Sequence, residues 1–130
     1  MLTVTENEMA KHIVDAAFKI HTSLGPGLLE SVYESVMAQE LTRRGLRAER
    51  QQALPVVWEN VHLEAGFRAD LMVENKVIVE IKSVEAIAPV HRKQLLTYLR
   101  LANKRLGILI NFDVDLIKDG FARVVNGLSE

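Results

Sequence analysis

The spacing of apolar residues changes character three times along this chain, from helical to strand-like, back to helical, and again to strand-like. That order limits the fold more than any other feature. From Thr5 to Leu24, residues Met9, Ile13, Ala17, Ile20 and Leu24 fall on one helical face, and Thr5 with Glu8 forms a capping-box start. Gly25-Pro26-Gly27 ends this helix, because Pro26 drives the residue before it out of the helical region. Leu29, Val32, Val36 and Leu41 then define a second amphipathic helix that ends near Gly45. From Leu46 to Lys82 the period becomes strand-like, with strands expected over Ala53–Trp58, Gly66–Val73 and Lys76–Lys82 and breaks at Glu59-Asn60 and Glu74-Asn75. Pro89 suits the first turn of a third helix reaching about Leu101, which buries Leu95, Leu96, Leu99 and Ala102 and turns Lys93, Thr97, Arg100 and Lys104 to water. Leu106–Asn111 is a nearly continuous apolar run, as in a strand covered on both faces, and Phe121–Val125 adds an edge strand. The expected order is ααβββαβ(β).

Length and composition narrow the functional classes. A chain of 130 residues fits a single domain over 1–130 with one core. The absence of cysteine excludes a disulfide framework, a cysteine nucleophile and thiolate metal sites, and fits a reducing compartment, with the cytoplasm as the default expectation. No apolar run is long enough to span a membrane, and the N-terminus lacks the basic lead and apolar core of a signal peptide. A net charge of −1 gives no whole-molecule attraction to polyanions, so a nucleic-acid role needs a local basic surface. The most basic stretches are Arg43, Arg44, Arg47 and Arg50 against a lone Glu49, and the run His91-Arg92-Lys93. Such runs are usually solvated faces.

The residues able to carry chemistry gather around one strand. In Val77-Ile78-Val79-Glu80-Ile81-Lys82, alternation puts Glu80 and Lys82 on one face of an otherwise apolar strand. The plain reading is an ion pair emerging at a strand end; the functional one is a cleft lined by a carboxylate and an ammonium. Asp70, on the preceding strand, decides between them through the hairpin register. A two-residue loop at Glu74-Asn75 pairs Asp70 with Val79 and separates the carboxylates. A three-residue loop including Lys76, or a bulge, sets Asp70 opposite Glu80. Facing carboxylates repel, which raises one pKa or recruits a hard divalent cation such as Mg²⁺ or Mn²⁺.

These spacings resemble the PD-(D/E)xK nuclease superfamily, with Asp70 as its first acidic residue and Glu80-Ile81-Lys82 as its (D/E)-x-K element; the element order also resembles that superfamily's core. Gln94 and Tyr98 look like the Q-x-x-x-Y element of its RecB-type members. Gly27-Leu28-Leu29-Glu30-Ser31-Val32-Tyr33 is similar to the motif for which the GxxExxY family is named. Similarity continues through Arg68-Ala69-Asp70, Gln94–Leu99 and Gly107–Phe112.

The resemblance implies a restriction-endonuclease-like α/β (α+β) core, a mixed central sheet flanked by helices, and a divalent-metal-dependent nuclease that hydrolyses nucleic-acid phosphodiester bonds in DNA or RNA. It implies catalytic roles for Asp70, Glu80, Lys82, Gln94 and Tyr98, and a Mg²⁺ or Mn²⁺ ion held by Asp70, Glu80, the carbonyl of Ile81 and Glu30. Tyr33, His91 and Arg68 are the expected substrate contacts. Alternatives stand beside these. Glu30 equally suits the first turn of a helix, where the dipole favours a carboxylate. Tyr33 could be a buried tyrosine with a satisfied hydroxyl. His62 would share a strand face with Glu64 but has no third ligand nearby. The competing class is a catalytically silent module that binds nucleic acid or protein on the same fold, with an edge strand offering a route to a homodimer.

Overall fold

The computed structural model describes residues 4–129, with no side chain described at positions 64 and 65; the expected pairing of His62 with Glu64 therefore lies outside the described residues. Helix α1 (Glu6–Leu24) starts at the Thr5–Glu8 capping box, and α2 (Glu30–Arg43) follows the Gly-Pro-Gly corner. Strands β1 (Ala48–Trp58), β2 (Val61–Val73) and β3 (Val77–Lys82) form a meander. Helix α3 (Pro89–Ala102) then crosses to β4 (Leu106–Asn111), and a short 3-10 turn (Ile117–Asp119) leads to β5 (Phe121–Val125). The sheet is five-stranded in the order β1-β2-β3-β4-β5. All neighbours are antiparallel except β3 and β4, whose parallel pairing requires the α3 crossover. This is the expected α+β architecture of a mixed sheet flanked by helices.

Two strands are longer than their hydrophobic pattern indicates. The first begins at Ala48 rather than Ala53 and the second at Val61 rather than Gly66. Glu59 and Asn60, both at positive φ, turn the chain so that Trp58 pairs with Val61. The residues added to β1, 48–52, are mostly polar and pair with 69–73, while those added to β2 begin the hairpin tip, where Val61 and Leu63 alternate with polar neighbours but are exposed to solvent.

Alternation along β3 divides the interior in two. Val77, Val79 and Ile81 pack with α1 and α2, while Ile78 packs with Leu95 and Leu99 of α3. Gly107 of β4 lets α3 approach, since a Cβ there would lie 2.8 Å from the Leu95 side chain. The four consecutive residues Val77 to Glu80 are all buried.

The corner between α1 and α2 is locked by Tyr33. This residue is fully buried and stacks on Phe112 with ring centroids 4.3 Å apart. Its hydroxyl donates to the Gly25 carbonyl and accepts the Leu28 N–H at 3.2 Å. The substrate contact expected of Tyr33 is therefore corrected: the side chain faces the core, and its hydroxyl already has both partners. Tyr33→Phe should lower stability by about 1–2 kcal/mol, because it strands one acceptor and one donor. That corresponds to a melting temperature several degrees lower by thermal denaturation, with Mn²⁺ binding unchanged.

Candidate active site

The site is set by one turn. Glu74 and Asn75 adopt positive φ (51° and 54°), and the Lys76 N–H donates to the Val73 carbonyl at 2.9 Å. Lys76 is thereby left over, so Val73 pairs with Val77, Met72 with Ile78 and Leu71 with Val79. One step further, Asp70 falls opposite Glu80. Of the two registers open from sequence, the chain takes the one that buries Leu71, Val73, Val77 and Val79 together and brings the carboxylates face to face.

At this step the backbone ladder ends and side chains replace it. The Ile81 N–H donates to Asp70 Oδ2 at 2.8 Å, and the Asp70 N–H donates to Glu80 Oε2 at 3.3 Å. The other edge of β2 is interrupted at the same level, because Gln51 of β1 has φ 50° and leaves the pairing between Arg50–Leu71 and Gln52–Ala69. The phase of β2 slips here as well: Leu71 and Val73 pack with α1 and α2, whereas Ala69 and Phe67 pack on the α3 side. Asp70 thus stands where the sheet opens. The N–H and C=O of one strand residue point to the same edge, so the Ile81 carbonyl faces this opening too.

Glu80 is only 7% exposed. Burial first, and then Asp70 beside it, push its carboxyl up from 4.5 to about 9, with a weaker opposing pull from Lys82. The metal-free site therefore holds Glu80 protonated at neutral pH. Lys82 shares the face of Glu80 but makes no ion pair with it or with any other described carboxylate. The strand-end ion pair is thus not what holds Glu80 and Lys82 here.

The remaining expected residues divide. Tyr98 on α3 stacks on Phe67 with centroids 3.8 Å apart, and its phenol is raised by burial and then by the charges of Glu80 and Asp70. Gln94 lies one turn earlier on the same side of α3 and is exposed. Arg68 is exposed and donates to the Gln51 carbonyl at 3.0 Å, supporting the backbone break rather than standing free for a substrate. His91 accepts the Ala88 N–H on Nδ1 at 3.0 Å, so its structural task is to cap α3. Glu30 accepts the Ser83 N–H at 2.9 Å, just past the end of β3.

Two residues to which the sequence assigned no role complete the cluster, although Glu34 shares a helical face with Glu30. Glu34, one turn after Glu30, is buried and paired with Arg50 at 2.9 Å. The Gln51 amide donates to Glu34 and, at 3.3 Å, to Asp70 Oδ1. The helix acid connected to Asp70 is therefore Glu34. Its signal was the shared face of Glu30 and Glu34; Gln51 lay ahead of the expected start of its strand. Among the described residues, no three His, Cys, Asp or Glu side chains stand together as a metal-ligand set. The oxygen atoms gathered at the opening come from the Asp70–Glu80 pair and the backbone.

A sequence model described as the PD-(D/E)XK nuclease superfamily matches residues 7–124. No curated protein and no solved structure matches the chain.

The raised Glu80 pKa has a definite sign. Its stabilising contribution is fully present below about pH 4.5 and is lost as pH rises toward about 9. Glu80→Gln, which keeps the side chain neutral, should in chelator melt at the same temperature as the parent near the lower value. Above neutral pH it should melt several degrees higher. A gap between the two proteins that stays constant with pH would contradict the assignment.

Proposed function

The chain belongs to the PD-(D/E)XK nuclease superfamily, and from that premise we propose that it is a divalent-metal-dependent nuclease with its reaction centre at Asp70, Glu80 and Lys82. The observation that carries this reading is the facing Asp70–Glu80 pair at a break in the sheet, with an unpaired Lys82 ammonium on the same face. A structural role would pair that ammonium with a neighbouring carboxylate. Here the lysine is left available, and Glu80 escapes repulsion from Asp70 only by holding a proton.

The donor set suits a hard cation. Asp70, Glu80 and the Ile81 carbonyl supply only oxygen, the preference of Mg²⁺ and Mn²⁺, and no cysteine competes for a softer ion. PD-(D/E)XK nucleases generally use divalent metal ions; when bound, such an ion makes a coordinated water more acidic and offsets charge on a phosphoryl oxygen. The protein's own residues do the rest. Asp70 is fixed through Oδ2 by the Ile81 N–H and through Oδ1 by Gln51, so its carboxylate needs little reorganisation. Glu80, as a carboxylate, would hold the ion together with Asp70, the cation's charge offsetting the repulsion between the two. Lys82 orients the attacking water and stabilises negative charge on the scissile phosphate. The water oxygen forms the new bond to phosphorus and gives up a proton to solvent, while the P–O bond to the leaving sugar oxygen breaks and that oxygen takes a proton.

We place the chain in the Q-x-x-x-Y branch of the superfamily and in its GxxExxY group. Tyr98, stacked on Phe67 of β2 with its phenol raised partly by the charge of Glu80, supports the first, and Gly27, Glu30 and Tyr33 at the α1–α2 corner support the second. The helix acid linked to Asp70 is Glu34, through the Gln51 amide, and it braces Asp70 rather than joining the donor set. Among the described residues no helix is long and apolar enough to cross a membrane, and we take the cytoplasm as the compartment because the chain carries no cysteine.

The test is cleavage of single- and double-stranded DNA and of RNA with Mg²⁺ or Mn²⁺. Wild type should cleave at least one of these. Lys82→Ala should lose about 10²–10³-fold in rate while binding the same substrate as tightly. Binding without cleavage by wild type would favour the silent module instead.

A further inference from the structure

Among the described residues, positive φ occurs in turns, at helix ends and at one position inside a strand, Gln51 of β1 with φ 50°. A residue that carries a Cβ is disfavoured in this left-handed region, where folding alone would place glycine or asparagine. Gln51 is neither, and it is exposed, so its amide needs no protein partner to satisfy it.

The conformation redirects a side chain. Consecutive residues of a regular strand point to opposite faces. Arg50 and Gln51 are consecutive, yet both bond to Glu34 of α2. The left-handed backbone is what turns the Gln51 amide to that side, and Arg68 holds the turned peptide by donating to the Gln51 carbonyl at 3.0 Å.

A chain of bonds then runs from the helix layer to the site. Glu34 is 5% exposed. Its Oε2 accepts from Arg50 at 2.9 and 3.3 Å, and its Oε1 accepts one N–H of the Gln51 amide. The other N–H goes to Asp70 Oδ1 at 3.3 Å, while Asp70 Oδ2 accepts the Ile81 N–H at 2.8 Å. Each Asp70 oxygen therefore carries one donor, which fixes the carboxylate plane from two directions and leaves a lone pair on each oxygen for a cation.

We propose that Gln51 is a positioning residue for Asp70, and that its strained backbone is kept because it carries a side-chain amide from the Glu34 anchor to that carboxylate. The inference rests on the nuclease reading, in which Asp70 holds the ion, and adds the residue that sets its orientation. Strain of this kind persists where the surroundings over-determine it, typically at functional sites. Partners that orient a metal ligand are worth about 10–100-fold in metal affinity.

The experiment is calorimetric titration with Mn²⁺, without nucleic acid, of wild type, Gln51→Ala, Gln51→Gly and Tyr33→Phe, with melting temperatures taken in chelator. Both Gln51 variants lack the amide, and only the alanine variant keeps the backbone strain. Gln51→Gly should therefore melt several degrees above Gln51→Ala, while both bind Mn²⁺ equally and about 10–100-fold more weakly than wild type. Tyr33→Phe, which lowers stability away from the site, should keep wild-type affinity. Recovery of affinity in Gln51→Gly would overturn the proposal, since backbone stability rather than the amide would then set binding. Wild-type affinity in both Gln51 variants would overturn it while leaving the nuclease reading in place. Wild type taking up no Mn²⁺ would remove both.

Discussion

Two carboxylates held face to face across a gap between strands are the feature on which the rest depends. Burying Glu80 beside Asp70 is unfavourable as long as both are charged. The sheet tolerates the pair because its backbone is rearranged to serve it: the ladder ends at Leu71–Val79, and the freed N–H groups of Ile81 and Asp70 bond to the two carboxylates. The cost is confined to one level of one strand pair. On either side, β3 is buried by apolar residues from both layers and paired in parallel along its whole length with β4.

The two layers have different tasks. The side packed by α1 and α2 is mainly structural, as Tyr33 shows, since a residue within a sequence motif is consumed in tying the corner between those helices. The side packed by α3 bears Glu80, Lys82 and Tyr98. Gln51 joins the layers: its left-handed backbone, braced by Arg68, lets one amide hold both Glu34 from α2 and Asp70 from the sheet. Binding geometry on the α3 side is thereby supported by an acid from the other layer.

Much of this was legible in the sequence because it follows from periodicity. Helix α1 carries its own cap and an unbroken apolar face, and β4 reads as apolar throughout, so neither depends on distant contacts to be recognised. The Asp70–Glu80 opposition was only half legible. Local turn chemistry at Glu74-Asn75 permits two registers, and burial of the flanking valines and Leu71 selects one. The choice of Glu34 over Glu30 was not legible, because both lie on one helical face and the deciding partner, Gln51, comes from a polar stretch without strand periodicity. His91 and Arg68 likewise have chemistry suited to a phosphate, and only the fold shows that each bonds to nearby backbone.

The central claim is that the carboxylate pair exists to bind a divalent cation, and the most direct test needs no substrate: the melting temperature with and without millimolar Mn²⁺, for wild type and Glu80→Ala. A cation at about ten times its dissociation constant adds roughly 1.4 kcal/mol, which is several degrees for a domain of this size. The account predicts such a rise in wild type and none in Glu80→Ala. Identical shifts in the two proteins, or no shift in either, would contradict it.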